Sequence, residues 1–537
     1  MKRTILILLS FVPCLMIAQN GEIHGNFDLN IQSYQEDNAI GAERADEIIL
    51  SNSYFNVLYS NGNFSTGFRY ESYLNALLDF DDDYKGNGFP YRYASYNFDG
   101  LEVTAGNYYE QFGSGLIFRS YEDKMLGVDN AMDGIRLKYQ PYKGIYLKSF
   151  IGKSRTYFTY SEGIIRGLDA EGDINELFGF NRSTNIMLGG SFVSRYQKDQ
   201  NPVFNLPENV GAYSSRINIS SGKINYYAEY AYKINDPENS LVENNYATGN
   251  AFMSSLSYSK KGMGISLEAH RVDHFEFRSE RQRSKEYIMN YIPTLSKQHT
   301  YTLAALYPCA TQAEGEFGYQ ADIFYNIKKG NLLGGKYGTK INLNYSKIIG
   351  LEGGFSRLND NEDFTPPFIG DSDNLYFSDY NIEIYKKITK KIKLTSLLSF
   401  QSYNKDIMEG KTIGEYGIVN SKIGILDVTY KLKSKHTLRV EMQGLLADGG
   451  EGDWSMGLIE YTISPNWFFT LQDMYNWGNS DPEKQLHYVN INMGFLKGST
   501  RFAIGYGKKR AGIFCVGGIC KEVPSSNGFS FNISSSF

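Results

Sequence analysis

The sequence predicts an all-β protein, a single large antiparallel transmembrane β-barrel of about 22 strands, within a range of roughly 18 to 24. Three observations lead there. Apolar and polar residues alternate with a period of two along nearly the whole chain, short turns alternate with long polar loops, and the last alternating segment closes on Phe537.

The N-terminus comes first. Lys2 and Arg3 precede an apolar run from Thr4 to Ile17 that only Ser10 and Pro13 interrupt, and the small residue Ala18 precedes Gln19. Basic, apolar and small residues in that order make a secretory signal. A membrane anchor needs roughly 20 apolar residues, more than this run supplies. Cys14 lies inside the run behind Pro13, where a lipidation site wants a small residue, so cleavage after Ala18 is expected. Residues 1–18 are therefore read as a signal peptide and residues 19–537 as the barrel.

Composition excludes several classes. Aromatic residues make up 15% of the chain, yet its mean hydropathy is −0.39. Beyond the signal no stretch approaches the ~18 apolar residues of a membrane helix, which excludes a helical membrane protein. Apolar residues at a period of 3.6 hardly occur, against a soluble enzyme of this size. A net charge of −5, from 54 basic and 59 acidic residues, leaves no footprint for nucleic acid.

Alternation supplies the strands. Tyr226, Ala228, Tyr230 and Tyr232 fall on one face, with Tyr227 and Glu229 on the other, because successive side chains of a strand point oppositely. The first face is expected outside, the second in the lumen. Tight turns at Asn61-Gly62, Asp99-Gly100, Lys261-Gly262 and Pro465-Asn466 alternate with long loops, the asymmetry of barrels with short periplasmic turns and long extracellular loops. Trp467 opens a segment that Trp477 closes, a separation that spans about 25 Å at ~3.3 Å per residue and a tilt of ~40°, the height of an apolar band between aromatic girdles. At the C-terminus Phe529, Phe531, Ile533 and Phe537 share a face. That pattern is similar to the terminal strand that outer-membrane assembly machinery recognises. Of about 23 alternating segments the poorest, residues 186–196, is dropped to give the even number that puts both chain ends on one side.

The connecting segments hold the candidate lumenal residues. Barrel strands begin close to Glu22, so no separate plug domain is expected ahead of them. Residues 108–130 carry Arg119, Glu122 and Lys124, and residues 279–312 carry Arg281, Arg283, Lys285, Lys297 and His299 among apolar Ile292, Leu295, Leu303 and Leu306. A loop wholly in water rarely holds so much apolar surface, so these segments either fold into the lumen or pack over the outer mouth. On the strands, Glu102, Arg136 and Glu229 are inward charges that would set selectivity.

The runs Asn107-Tyr-Tyr-Glu-Gln-Phe-Gly-Ser-Gly-Leu116, Asp129-Asn-Ala-Met-Asp-Gly-Ile-Arg136 and Asn290-Tyr-Ile-Pro-Thr-Leu-Ser-Lys-Gln-His-Thr-Tyr301 are distinctive. With Tyr307-Pro-Cys-Ala-Thr-Gln312 and Gly517-Gly-Ile-Cys520, they resemble an outer-membrane family of Bacteroidota that carries only a domain-of-unknown-function label. The resemblance spans most of the mature chain. It implies a barrel in the Gram-negative cell outer membrane and supplies no activity. Members of that family more often have an aromatic residue where Cys309 stands, which argues against an essential thiol there.

No catalytic residue, cofactor or metal is expected. No Gly-x-Ser-x-Gly elbow occurs, and Asp273 and His274 are adjacent, so a strand would point them to opposite faces. The acidic loops at Asp79–Asp83 and Asp448–Asp453 lack the ligand spacing of a calcium loop. Cys515 and Cys520 flank a Gly-Gly turn in an external loop, where an oxidising compartment permits a disulfide. Two functions remain. The first is a porin-like channel for polar solutes; the alternative is a non-catalytic scaffold, an assembly or secretion component that binds other envelope proteins. Expected partners are outer-membrane lipid and lipopolysaccharide, and the assembly machinery during biogenesis.

Overall fold

A computed structural model describes residues 21–537, apart from 181, 204, 235, 237–247, 282–286, 353–366, 369–372 and 517–518. The expected signal peptide, Arg283 and Lys285 lie outside the described residues. The first strands are β1 (Glu22–Gln35), β2 (Leu50–Asn61), β3 (Phe64–Leu74), β4 (Gly86–Phe98), β5 (Leu101–Tyr108) and β6 (Met132–Tyr142). There follow β7 (Ile145–Thr156), β8 (Ile164–Asp173), β9 (Thr184–Tyr196), β10 (Asn209–Ser221), β11 (Ile224–Lys233) and β12 (Gly249–Lys260). The second half opens with β13 (Met263–Asp273), β14 (Gly315–Ile327), β15 (Thr339–Gly350), β16 (Leu375–Lys387), β17 (Ile392–Asn404) and β18 (Ile418–Lys433). It ends with β19 (His436–Ala447), β20 (Trp454–Ile463), β21 (Trp467–Asn476), β22 (His487–Lys497), β23 (Thr500–Lys509) and β24 (Ser526–Ser536).

Each strand pairs antiparallel with the next, and β24 returns to β1 from Asn26↔Ser536 to Gln35↔Asn527. The sheet counts 25 strands, but Thr159–Tyr160 only prolongs β7 above the wall, so the closed barrel has 24. Closure leaves no strand edge unpaired.

The count corrects the expected 22, and the reason is instructive. Residues 186–196, the poorest of the alternating segments, belong to β9, which is paired along its length with both β8 and β10. The long connection before β9 lies at the turn end and holds the one-turn helix Ile174–Phe178, which the Asp173 carboxylate caps and Gly179 ends at φ 65°. Residues 328–338 make a second long connection at that same end. The other turn-end connections are short, as at Asn61-Gly62, where Gly62 adopts φ 57°. The loop end carries the long segments, above all residues 109–131 and 274–314.

The two faces differ as the alternation requires. Tyr230 is 42% exposed and Tyr232 39%, on the outer face, whereas Glu229, next to Tyr230, is 1% exposed and turns inward. Trp467 and Trp477 are both exposed, at opposite ends of β21. Inward residues of β22 to β24 are mostly small or polar, among them Gly494, Ala503, Gly505, Gly507 and Asn532, and that side of the interior stays open. Elsewhere the interior is filled. Phe112, Leu116, Ile117 and Phe118 pack with Phe275, Phe277 and Met289 against the inner wall of β6 to β13. Leu303, Leu306, Tyr307 and Cys309 pack against the inner wall of β15 to β21, on Tyr376, Leu397, Ile423, Trp454 and others.

Phe537 sits at the seam. Its backbone exchanges two 3.0 Å hydrogen bonds with Gly25, and its ring stacks on Phe55 of β2 at 6.3 Å. Phe537 is 61% exposed, so deleting it removes burial of about 1 kcal/mol, small beside a completed barrel. The deletion is therefore expected to lower the yield of folded barrel while molecules that do fold melt normally, as read by heat-modifiable gel mobility. Normal yield with a lowered unfolding temperature would show that Phe537 only packs.

Candidate lumenal site

Residues 109–131 enter the barrel by following β5 inward, and the conformation is locked by charge. The carboxylate of Glu229, midway down β11, accepts from the Ser114 backbone N–H at 2.8 Å and its hydroxyl at 2.6 Å. Gly113 lies against that carboxylate at φ 53°, where a Cβ would stand 2.6 Å from an oxygen, so this approach requires glycine. Nearby, Arg69 and Glu71 of β3 and Arg155 of β7 meet Glu122 and Asp129 of the segment. Arg155 Nη2 lies 2.6 Å from Glu71 Oε2, and Arg69 lies 2.6 Å from Glu71 and 2.8 Å from Glu122. Both arginines also bind Asp129, and Tyr109 donates to it at 3.0 Å. Burial raises the Glu122 carboxyl above its usual range against the pull of Arg69. Glu110 is opposite in outcome. Burial opposes its charge, but Lys148 and Lys138 outweigh it and hold the carboxyl low.

The second segment is anchored in the same way. Lys297 reaches Asn381 and Glu383 of β16 at 3.2 Å, His299 Nε2 bonds Asp379 at 2.7 Å, and the Leu303 N–H donates to Gln443 of β19 at 2.8 Å. Tyr301 approaches Asp427 of β18 at 3.4 Å. Burial pushes the Cys309 thiol well above its usual range, which makes it an inert packing group.

The residues expected to set selectivity therefore hold these segments in place. Glu102 pairs with Arg136, whose Nη1 donates to the Tyr109 carbonyl at 3.1 Å. Arg119 lies between the rings of Tyr291 and Tyr121, 3.9 and 4.7 Å from their centroids. Arg281 is buried at the loop end beside Asp236, its backbone N–H on Gln197 at 2.8 Å, and it does not line the open lumen. Cys515 and Cys520 are joined in the hairpin Gly512–Val516 and Ile519–Val523. That hairpin folds inward, so Phe514 lines the lumen and Cys515 faces His299 and Cys309 across a hollow. Among the described residues no cluster of three His, Cys, Asp or Glu side chains is placed to hold a metal.

What stays open is a lumenal cavity of about 920 Å³ beside β21 to β24 and β1. Asp28, Asn30, Asn52, Gln472, Asn490 and Asn532 line its flank, Arg501 and Ser534 its turn end, and Lys509 and Arg510 its loop end. From Arg501 to Lys509 along β23 is about 20 Å at the usual rise and tilt. Sequence reading missed these residues except Lys124, which projects from the in-folded segment to Asp28 at 3.1 Å. A signal was present: most inward positions of β22 to β24 are glycine, alanine, serine and asparagine.

A model of the family described as "Family of unknown function (DUF6029)" matches residues 1–537. No curated protein matches the chain. Among solved structures, the translocation pore of the P pilus usher PapC is similar at 10% identity and TM-score 0.45, covering 96% of this chain and 99% of its own. The siderophore receptor PirA from Pseudomonas aeruginosa gives 7% identity and TM-score 0.42, over 96% of this chain and 80% of its own. OccAB3 from Acinetobacter baumannii gives 10% identity and TM-score 0.36, over 97% and 100%.

Proposed function

We propose that this chain, which belongs to the DUF6029 family, is an outer-membrane β-barrel that passes small polar solutes along a narrow lumenal path. The observation that carries the reading is the open cavity, of mixed polar and apolar lining, running from Arg501 and Ser534 at the turn end to Lys509 and Arg510 at the loop end, with Asp28, Asn30, Gln472, Asn490 and Asn532 along its flank. An apolar, aromatic outer face suits a bilayer, where a closed barrel satisfies every backbone group. In this reading the turn end faces the periplasm and the loop end faces outward. No step of the proposal needs a reacting group; the barrel positions side chains and excludes large solutes.

Purified protein in planar bilayers should give discrete single-channel conductance, and conductance absent from many insertions would sink the channel. A cysteine at Asn492, inward and exposed beside the cavity, should react with a small membrane-impermeant thiol reagent, while one at Ile491 should not. The reverse pattern would mean that the faces are exchanged. The scaffold reading draws support from the two apolar cores that fill most of the lumen. Stoichiometric envelope partners after mild extraction, with no conductance, would favour it.

A further inference from the structure

The turn-end rim between β12 and β19 holds an unusual concentration of one charge. Four turn-end connections, consecutive around the ring, each carry a lysine pair: Lys260 and Lys261, Lys328 and Lys329, Lys390 and Lys391, Lys433 and Lys435. No Asp or Glu occurs in residues 258–264, 324–341, 384–394 or 429–438. All eight lysines are exposed, and among the described residues none makes an ion pair with a carboxylate. Eight uncompensated cations on one arc repel one another, a cost that an anionic partner removes.

The outer edge of this arc is apolar and aromatic. Tyr258 and Tyr325 face outward at the same level, and the Lys260 ammonium lies 5.9 Å from the Tyr258 ring centroid. The connection 328–338 folds over the outside of the wall. Its Leu333 carbonyl accepts from Thr339 Oγ1 at 2.8 Å and Lys386 Nζ at 3.2 Å, two opposed residues on the outward face that also bears Ile341, Leu343 and Tyr345. That fold leaves Leu332 96% exposed and Leu333 67%, bare on the outside of the barrel.

We propose that this rim binds anionic phospholipid headgroups of the periplasmic leaflet, with Leu332 and Leu333 seated among the acyl chains beneath them. The placement selects the occupant. An acidic soluble protein would meet the lysine tips but not the leucines and tyrosines on the lipid side of the wall. Lysine stems lie along apolar surface while their ammonium groups reach the headgroups, and anionic headgroups attract each such cation. The inference rests on the proposed bilayer location but not on conduction.

The test titrates full-length protein in neutral detergent with phosphatidylglycerol or phosphatidylcholine and counts retained lipid by native mass spectrometry. Wild type should retain phosphatidylglycerol preferentially, and 1 M salt should abolish the preference. The quadruple variant K328Q/K329Q/K390Q/K391Q should lose affinity for phosphatidylglycerol by about tenfold and keep that for phosphatidylcholine. L332S/L333S should weaken retention of both lipids. Equal retention of the two lipids by wild type, or unchanged retention by the lysine variant, overturns the inference, as does selective capture of an acidic protein without lipid preference. Insertion into phosphatidylcholine liposomes, followed by heat-modifiable mobility, separates the two readings. Failure to insert removes the bilayer reading itself, while insertion without lipid preference removes only this inference.

Discussion

Excising residues 293–310 and joining Ile292 to Thr311 through two glycines is expected to raise single-channel conductance several-fold. The join is short because Thr311 Oγ1 already donates to the Ile292 carbonyl at 3.0 Å. What leaves is the segment that carries Lys297, His299, Tyr301 and Leu303 to the inner wall of β16 to β19. Conductance grows with the water-filled cross-section, and this segment occupies the interior beside the cavity, whose lining includes Thr302. The cost is exposure of the wall residues Ile348, Leu397, Ile423 and Met456 to water, at about 25 cal/mol per Å² of apolar surface. A lower unfolding temperature should therefore accompany the larger current. Unchanged conductance in a barrel that folds and inserts would mean that the segment does not narrow the path.

Replacing Arg155 by Met should produce the largest loss of order from one side chain. Arg155 and Glu71 are each 1% exposed, and the cluster they share with Arg69, Glu122 and Asp129 has three acids against two bases. Removing Arg155 leaves one buried base for three acids, and breaking a buried pair costs about 3–5 kcal/mol. Because Glu122 and Asp129 belong to the in-folded segment, the loss should release residues 109–131, detected as new protease cleavage there at temperatures where the barrel stays folded. The double variant R155M/E71Q restores the balance of charge and should recover protection. Cleavage equal in the single and double variants would show that bulk, and not charge, holds the segment.

The lumenal faces of individual strands were legible in the residues because a strand's period is local. Glu229 turns inward and Tyr230 outward by the same rule whichever strands flank them. The aromatic end at Phe537 was legible too, although its stacking on Phe55 across the seam was not. Strand number failed where it depended on the side of the wall to which a connection belongs. A ten-residue connection reads alike above or below the barrel, and only the pairing of β9 with both neighbours places the connection that begins at Ile174 at the turn end.

The same division holds for the lumen. Apolar residues in 279–312 signalled a segment that leaves water, and they pack inside, as one of the two readings had it. Which inward charges stay free was decided elsewhere. Arg136 and Glu229 face inward by parity and His299 rides on an in-folded segment, yet each meets a partner: the Tyr109 carbonyl, Ser114 and Asp379. Arg501 and Lys509, equally inward, border the cavity because the neighbouring inward positions Gly494, Ala503 and Gly505 give an in-folded segment no apolar surface to pack on. Alternation is written in adjacent residues, so the chain alone determined which side chains of each strand face out and which face in. The partition of its interior into packed halves and an open path required segments far apart in sequence to find complementary apolar walls, and only ring closure brings those walls together.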